Sequence, residues 1–236
     1  MASKPKTSIV RSRDNICKFC KKGFSSERTL AAHMCVKKRR FADKDAPGSM
    51  LGYRVFQRFY ELTSRKSEPK SVYEFIDSSH YNAFVKFARY MVDLNPLVPD
   101  QFIDYVITNG IKMKDWDKPS IYDKFLGEYI RKEPVKRALE RSIIEMDKWA
   151  QENNTEFTNF FEYVHPVEAV YLIKSGRISP WIIYISDNSS KLLSSFNQEQ
   201  VKMLANIMDV NLWNFVFHKK VDDVKYARDI ISAAGL

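Results

Sequence analysis

At 236 residues, with 44% apolar and 14% aromatic side chains, the chain can build a packed core, which argues against general disorder. Seven glycines and nine prolines are too few for a sandwich or barrel that turns tightly and often. No apolar run approaches the about 18 residues of a membrane span, and "MASKPKTSIVRSRDN" lacks an apolar signal core, so a soluble, intracellular protein is expected.

The net charge of +9 is unevenly placed. Residues 1–40 carry 12 Lys/Arg against Asp14 and Glu27, a net +10, while the remaining 196 residues sum to −1. A basic block of this kind points to a polyanionic partner, DNA or RNA, although a merely solvated tail would look the same.

Within that block, "CKFCKKGFSSERTLAAHMC" (17–35) holds all three cysteines. Cys17 and Cys20 form a CxxC knuckle able to aim two thiolates at one tetrahedral ion, and twelve residues separate Cys20 from His33. Phe24 and Leu30 fall where a small apolar core would sit beneath the metal. The stretch resembles the two-Cys two-His ββα zinc finger over about residues 15–38. It departs from that family at the fourth ligand, because Lys37, Lys38 and Arg39 occupy the positions where a second His or Cys belongs. Cys35 is the nearby substitute. Residues i and i+2 of a helix point about 200° apart, so Cys35 reaches the ion only if the helix opens near Met34. The expected centre is Cys17, Cys20, His33 and Cys35 around one Zn²⁺, with a short helix ending just after His33.

The three positions that read bases in such fingers are Ser26, Thr29 and Ala32 here, and none offers a bidentate pairing. Ser26 is better placed as a helix N-cap. Phosphate contacts are expected instead from Lys18, Lys21, Lys22, Arg28, Lys37, Lys38, Arg39 and Arg40, which position a protein without specifying sequence. The finger with its Lys-, Asn- and Phe-rich body is also similar to zinc-finger proteins of large tailed bacteriophages. That resemblance brings no activity, and it implies host cytoplasm if the chain is phage-encoded.

"FADKDAPGS" (41–49) has the composition of a linker. Helical periodicity then dominates. "LGYRVFQRFYEL" puts Leu51, Val55, Phe59 and Leu62 on one stripe, joined by Phe56. "HYNAFVKFARYMVDL" follows with Phe84, Phe87, Ala88 and Met91, and "PDQFIDYVITNG" stops at Asn109-Gly110. "SIYDKFLGEYI" offers Tyr122, Phe125, Leu126 and Tyr129. "EPVKRALERSIIEMDKWAQEN" offers Val135, Leu139, Ile143 and Met146. "HPVEAVYLIKSG", "SPWIIYIS" with Ser179 as N-cap, "NQEQVKMLANIM", "NLWNFVFHKK" and "VDDVKYARDIISAAGL" complete nine or ten helices. "WIIYIS" alone could pass for a strand, and its Ser-Pro start favours helix. The expected fold class is all-α, with a basic tail (1–14), a zinc finger with basic extension (15–40), a linker (41–49) and one multi-helix domain (50–236).

The body shows no Gly-rich phosphate loop, nucleophile elbow or HExxH, so no catalytic residue is expected. Asp115 and Asp117 of "DWD" could hold Mg²⁺, but a helix-start role explains them more simply. His165 suits the position just before a Pro-started helix, and Glu168 is favoured there by the helix dipole. Arg131, Lys132, Lys136, Arg137 and Arg141 make a weaker basic patch diluted by Glu133 and Glu140. The functional expectation is a nucleic-acid-binding accessory or regulatory protein whose body docks a protein partner, such as transcription or replication machinery. The alternatives are a docking scaffold without nucleic acid and a metal-dependent nuclease.

Overall fold

A computed structural model describes residues 15–64 and 68–236, so the expected basic tail, 1–14, lies outside the described residues. The fold is all-α apart from one tiny hairpin, β1 (Asn15–Ile16) and β2 (Gly23–Phe24), paired antiparallel with Asn15 opposite Phe24. The helices are α1 (Glu27–Ala32), α2 (Val36–Ala42), α3 (Pro47–Thr63), α4 (Val72–Asp77), α5 (Tyr81–Leu94), α6 (Pro99–Thr108), α7 (Pro119–Lys132), α8 (Val135–Glu152), α9 (Phe160–Tyr163), α10 (Pro166–Lys174), α11 (Pro180–Ile185), α12 (Ser189–Ser195), α13 (Gln198–Leu204), α14 (Val210–Lys219) and α15 (Val221–Ala233).

Fifteen α-helices among the described residues exceed the one finger helix and the nine or ten body helices expected. The additional ones, α2, α4, α9 and α12, are seven residues or shorter, less than two turns, too little for an apolar period to declare itself. "WIIYIS" is helical as its start suggested, with the Ser179 hydroxyl accepting from the Trp181 N–H. No helix among the described residues is long and apolar enough to cross a membrane.

The chain groups into two compact units: the described residues up to Leu94 together with Ile107–Lys114, and Asn95–Val106 together with Asp115–Leu236. Helix α2 ends at Ala42 and α3 starts at Pro47, so the 41–49 stretch is mostly the end of one helix, a turn and the start of the next.

In the first unit α3 lies along α5. Gly52 permits the approach, since a Cβ there would sit 3.3 Å from the Val85 Cα. The buried face of α3 is Ser49, Gly52, Val55 and Phe56, whereas Leu62, expected inside, is exposed. The stripe is therefore shifted toward the small residues, because close contact with α5 needs them. On α5, Phe84, Phe87, Ala88 and Met91 are buried as expected.

In the second unit α8 buries Val135, Leu139 and Met146, with Ser142 rather than Ile143 filling the middle of the face. The Ser142 hydroxyl donates to the Ala138 carbonyl at 2.8 Å and accepts from the Ser179 N–H at 2.9 Å, so this buried polar atom is satisfied. Trp181 and Trp213 meet edge-on at 5.8 Å, and the Trp213 indole donates to the Ile207 carbonyl at 2.7 Å.

Candidate metal centre

The hairpin and α1 build the first half of the site. Cys17 N–H donates to the Lys22 carbonyl at 2.9 Å and Lys21 N–H to the Cys17 carbonyl at 2.8 Å, which folds the CxxC segment back on itself. Lys21 takes φ 60° to close this knuckle, a left-handed conformation that costs a side-chain-bearing residue about 1–2 kcal/mol. Ser26 caps α1 as expected, its hydroxyl accepting from Thr29 N–H while the Thr29 hydroxyl accepts from Ser26 N–H.

The second half depends on the helix break. α1 stops at Ala32, and His33 has left helical geometry at φ −70°, ψ 122°. Cys35, at φ −81°, ψ 165°, then serves as N-cap of α2, and its sulphur accepts from Lys38 N–H at 3.4 Å. The expected opening near Met34 is thus present, and it ends one helix only to begin another. Lys38 Nζ donates to the His33 carbonyl at 3.2 Å and bridges the break.

These turns bring one ligand atom from each of Cys17, Cys20, His33 and Cys35 within 4.8 Å of one another. Cys20 Sγ and His33 Nε2 are 3.2 Å apart. A tetrahedral site with arms of about 2.3 Å has edges of about 3.8 Å, so a modest contraction closes all four around a cation. Three thiolates and one imidazole fit such an ion. The Phe24 ring lies 4.5 Å from the His33 ring and supports it. Among the described residues this is the group of three or more His, Cys, Asp or Glu side chains that converges in this way.

The thiols differ in acidity. The Cys20 backbone N–H, followed by that of Phe19, holds the Cys17 thiol down at about 7 against the opposing effect of burial. For Cys20 the Lys22 N–H is the largest single influence and lowers the pKa. Burial and the neighbouring Cys17 and Cys35 sulphurs outweigh it, and the net shift is upward.

The eight basic side chains expected to meet phosphate divide into two groups. Lys18, Lys21, Lys22, Arg28 and Arg39 are exposed. Lys37, Lys38 and Arg40 are half-buried and engaged inside the protein. Lys37 pairs with Asp77 at 2.9 Å. Arg40 donates to the Ile76 carbonyl at 2.8 Å and lies 4.2 Å above the Tyr81 ring. Phe19 contacts Phe41 at 5.2 Å, and Phe41 stacks on Tyr73 at 5.6 Å. These aromatic contacts, with Arg40, fix the metal-binding segment to α4 and were not anticipated. The only hint was a lone phenylalanine after four basic residues.

Elsewhere, Asp115 closes a 3₁₀ turn, Met113–Asp115, and pairs with Lys118 at 2.6 Å. Helix α7 starts at Lys118 as N-cap, not at either aspartate, because Pro119 fixes the first helical position. His165 does cap α10, its Nδ1 accepting from Val167 N–H at 3.3 Å. Of the weaker patch, Arg141 is spent on Glu133 and on the Gly176 and Arg177 carbonyls, and Arg131 on the Gly127 carbonyl. No protein-family model, no curated protein and no solved structure matches the chain.

Proposed function

We propose that the protein is a zinc-dependent nucleic-acid-binding accessory factor that grips the phosphate backbone with little regard to sequence. The observation that carries this reading is the exposure of Lys18, Lys21, Lys22, Arg28 and Arg39 around the Cys₃His group. Only Glu27 opposes them on α1. Zinc is the metal of choice because thiolate-rich tetrahedral sites suit it best. Its role is structural, since four protein ligands leave no position for a reacting molecule. Ser26 and Thr29 are spent capping α1, which supports weak base selectivity. The second unit would dock a protein partner. An apolar groove of about 420 Å³, walled by Leu193, Phe196, Leu204 and Met208, supports that role.

The test is fluorescence anisotropy with labelled duplex and single-stranded probes across a salt series. Affinity should fall steeply with salt, with a log–log slope set by the number of phosphates neutralised. Replacing Lys18, Lys21, Lys22 and Arg28 together by Glu should abolish binding without melting the helices. A salt-independent affinity, or an unaffected quadruple variant, sinks the proposal.

A further inference from the structure

Beside the metal-binding segment, a cavity of about 270 Å³ opens between α2, α3 and α4. Arg40, one of its lining residues, stands five residues beyond Cys35, about 7.5 Å further along α2. The walls are apolar: Met50, Tyr53, Val72 and the buried Phe75 and Ile76. The rim is charged, with Arg40 and Lys44 against the single carboxylate of Asp45, which pairs with Lys44 at 2.5 Å. On the inner wall sits Ser49, 3% exposed.

We propose that this cavity binds one unstacked nucleotide, base inward and phosphate at the rim, and that it gives the protein a preference for single strands over duplex. This rests on, and sharpens, the nucleic-acid reading above. The size suits one ring system: the volume falls just short of the about 300 Å³ at which pockets for drug-sized ligands begin. Tyr53 and Phe75, with centroids 5.7 Å apart, and the Met50 thioether provide a platform that tolerates any base. The Ser49 hydroxyl on the inner wall can meet a polar atom on a base edge. Arg40 is held in place by the Ile76 and Ser78 carbonyls and retains N–H donors for a phosphate oxygen, while Lys44 adds a second cation. Bases in a duplex are stacked and cannot enter, so the cavity discriminates by strandedness.

The full-length, zinc-loaded chain is tested with a labelled single strand, the duplex of equal length, a free nucleoside monophosphate and ribose 5-phosphate. The expected result is on the order of tenfold tighter binding to the single strand than to duplex. Ser49→Leu, which fills the cavity without changing charge, should remove that preference and leave duplex affinity unchanged. Met50→Ala, at an exposed wall residue, should weaken single-strand binding in the same selective way and serves if the first variant folds poorly. In NMR spectra the nucleoside monophosphate should shift the Ser49, Tyr53, Val72 and Phe75 amides, and ribose 5-phosphate should not. Equal affinity for both strand forms, unaltered by either variant, overturns this inference while leaving phosphate binding by the basic side chains intact. Identical shifts with ribose 5-phosphate overturn it as well, since a base is then not recognised. If neither strand form binds even at low salt yet the monophosphate shifts those amides, the proposed function fails and the cavity stands as a free-nucleotide site.

Discussion

Arg40 joins the metal-binding segment to the helices by donating to the Ile76 carbonyl at 2.8 Å, at the C-terminal end of α4. That end of a helix has carbonyls without intrahelical partners, and the guanidinium satisfies the one on Ile76, adds a longer contact to the Ser78 carbonyl at 3.4 Å, and rests its face on Tyr81. Arg40→Ala should therefore cost about 1.5–3 kcal/mol in urea denaturation of the first unit, the range for hydrogen bonds to a charged group. Arg40→Lys should restore only part of this, since an ammonium lacks the planar fork. A loss below about 0.5 kcal/mol would show that the contact is incidental.

Metal removal should act locally. Neither the hairpin nor α1 buries an apolar side chain fully apart from Cys17, so the segment has little else to hold it. Chelation should melt residues 15–35 and leave α3 and α5 folded, read as a small loss of helical circular dichroism with NMR changes confined to that stretch. Elemental analysis should find one zinc per chain, and Cys35→Ala should weaken retention of the metal. Metal binding requires the thiolates, so retention should decline as pH falls and protons compete for sulphur. Loss of the whole helical signal on chelation would contradict this division.

Most of the centre was legible in the sequence because ligand spacing is local. Cys17, Cys20 and His33 announce a knuckle and a helix, and Cys35 announces a break, all within 19 residues. The attachments were not legible. Lys37 meets Asp77 and Arg40 meets Ile76 across 36 to 40 positions, and nothing in "KKRR" separates the side chains that fold inward from Arg39, which stays outside. Long amphipathic helices such as α5 and α8 declared themselves through period. The six residues of α4 gave too few turns to do so, although Ser71 and Glu74 form a capping box that marks its start.

That capping box makes acid a probe of α4. The Glu74 carboxylate accepts from Ser71 N–H at 2.8 Å and from Lys70 Nζ at 2.9 Å. The Ser71 backbone N–H, with Lys70 and the Ser71 hydroxyl, pulls its pKa from 4.5 to about 2. The folded state therefore holds this proton less tightly than the unfolded chain. The stabilisation is complete above about 4.5 and disappears as pH falls toward 2. Glu74→Gln should flatten the acid limb of the stability curve in that window and change nothing in its shape between pH 6 and 8, where the carboxyl is ionised in both the folded and the unfolded chain. An unchanged acid limb in the variant would remove Glu74 from the account.

In the second unit Glu133 and Arg141 form an ion pair whose side chains are 3% and 17% exposed. Glu133 ends α7, and Arg141 reaches back from α8 to it and across to the Gly176 and Arg177 carbonyls. One guanidinium therefore ties the end of α7 to the turn that follows α10. Removing one partner strands the other charge away from water, so Glu133→Ala should destabilise this unit by about 3–5 kcal/mol. Replacing both by Met should cost much less, because no unpaired charge remains and the aliphatic volume is largely kept. Chemical denaturation of Glu133→Met, Arg141→Met and the variant carrying both gives the coupling energy directly. Additive losses in the double variant would mean that the two side chains stabilise the unit independently and that the pairing contributes nothing of its own.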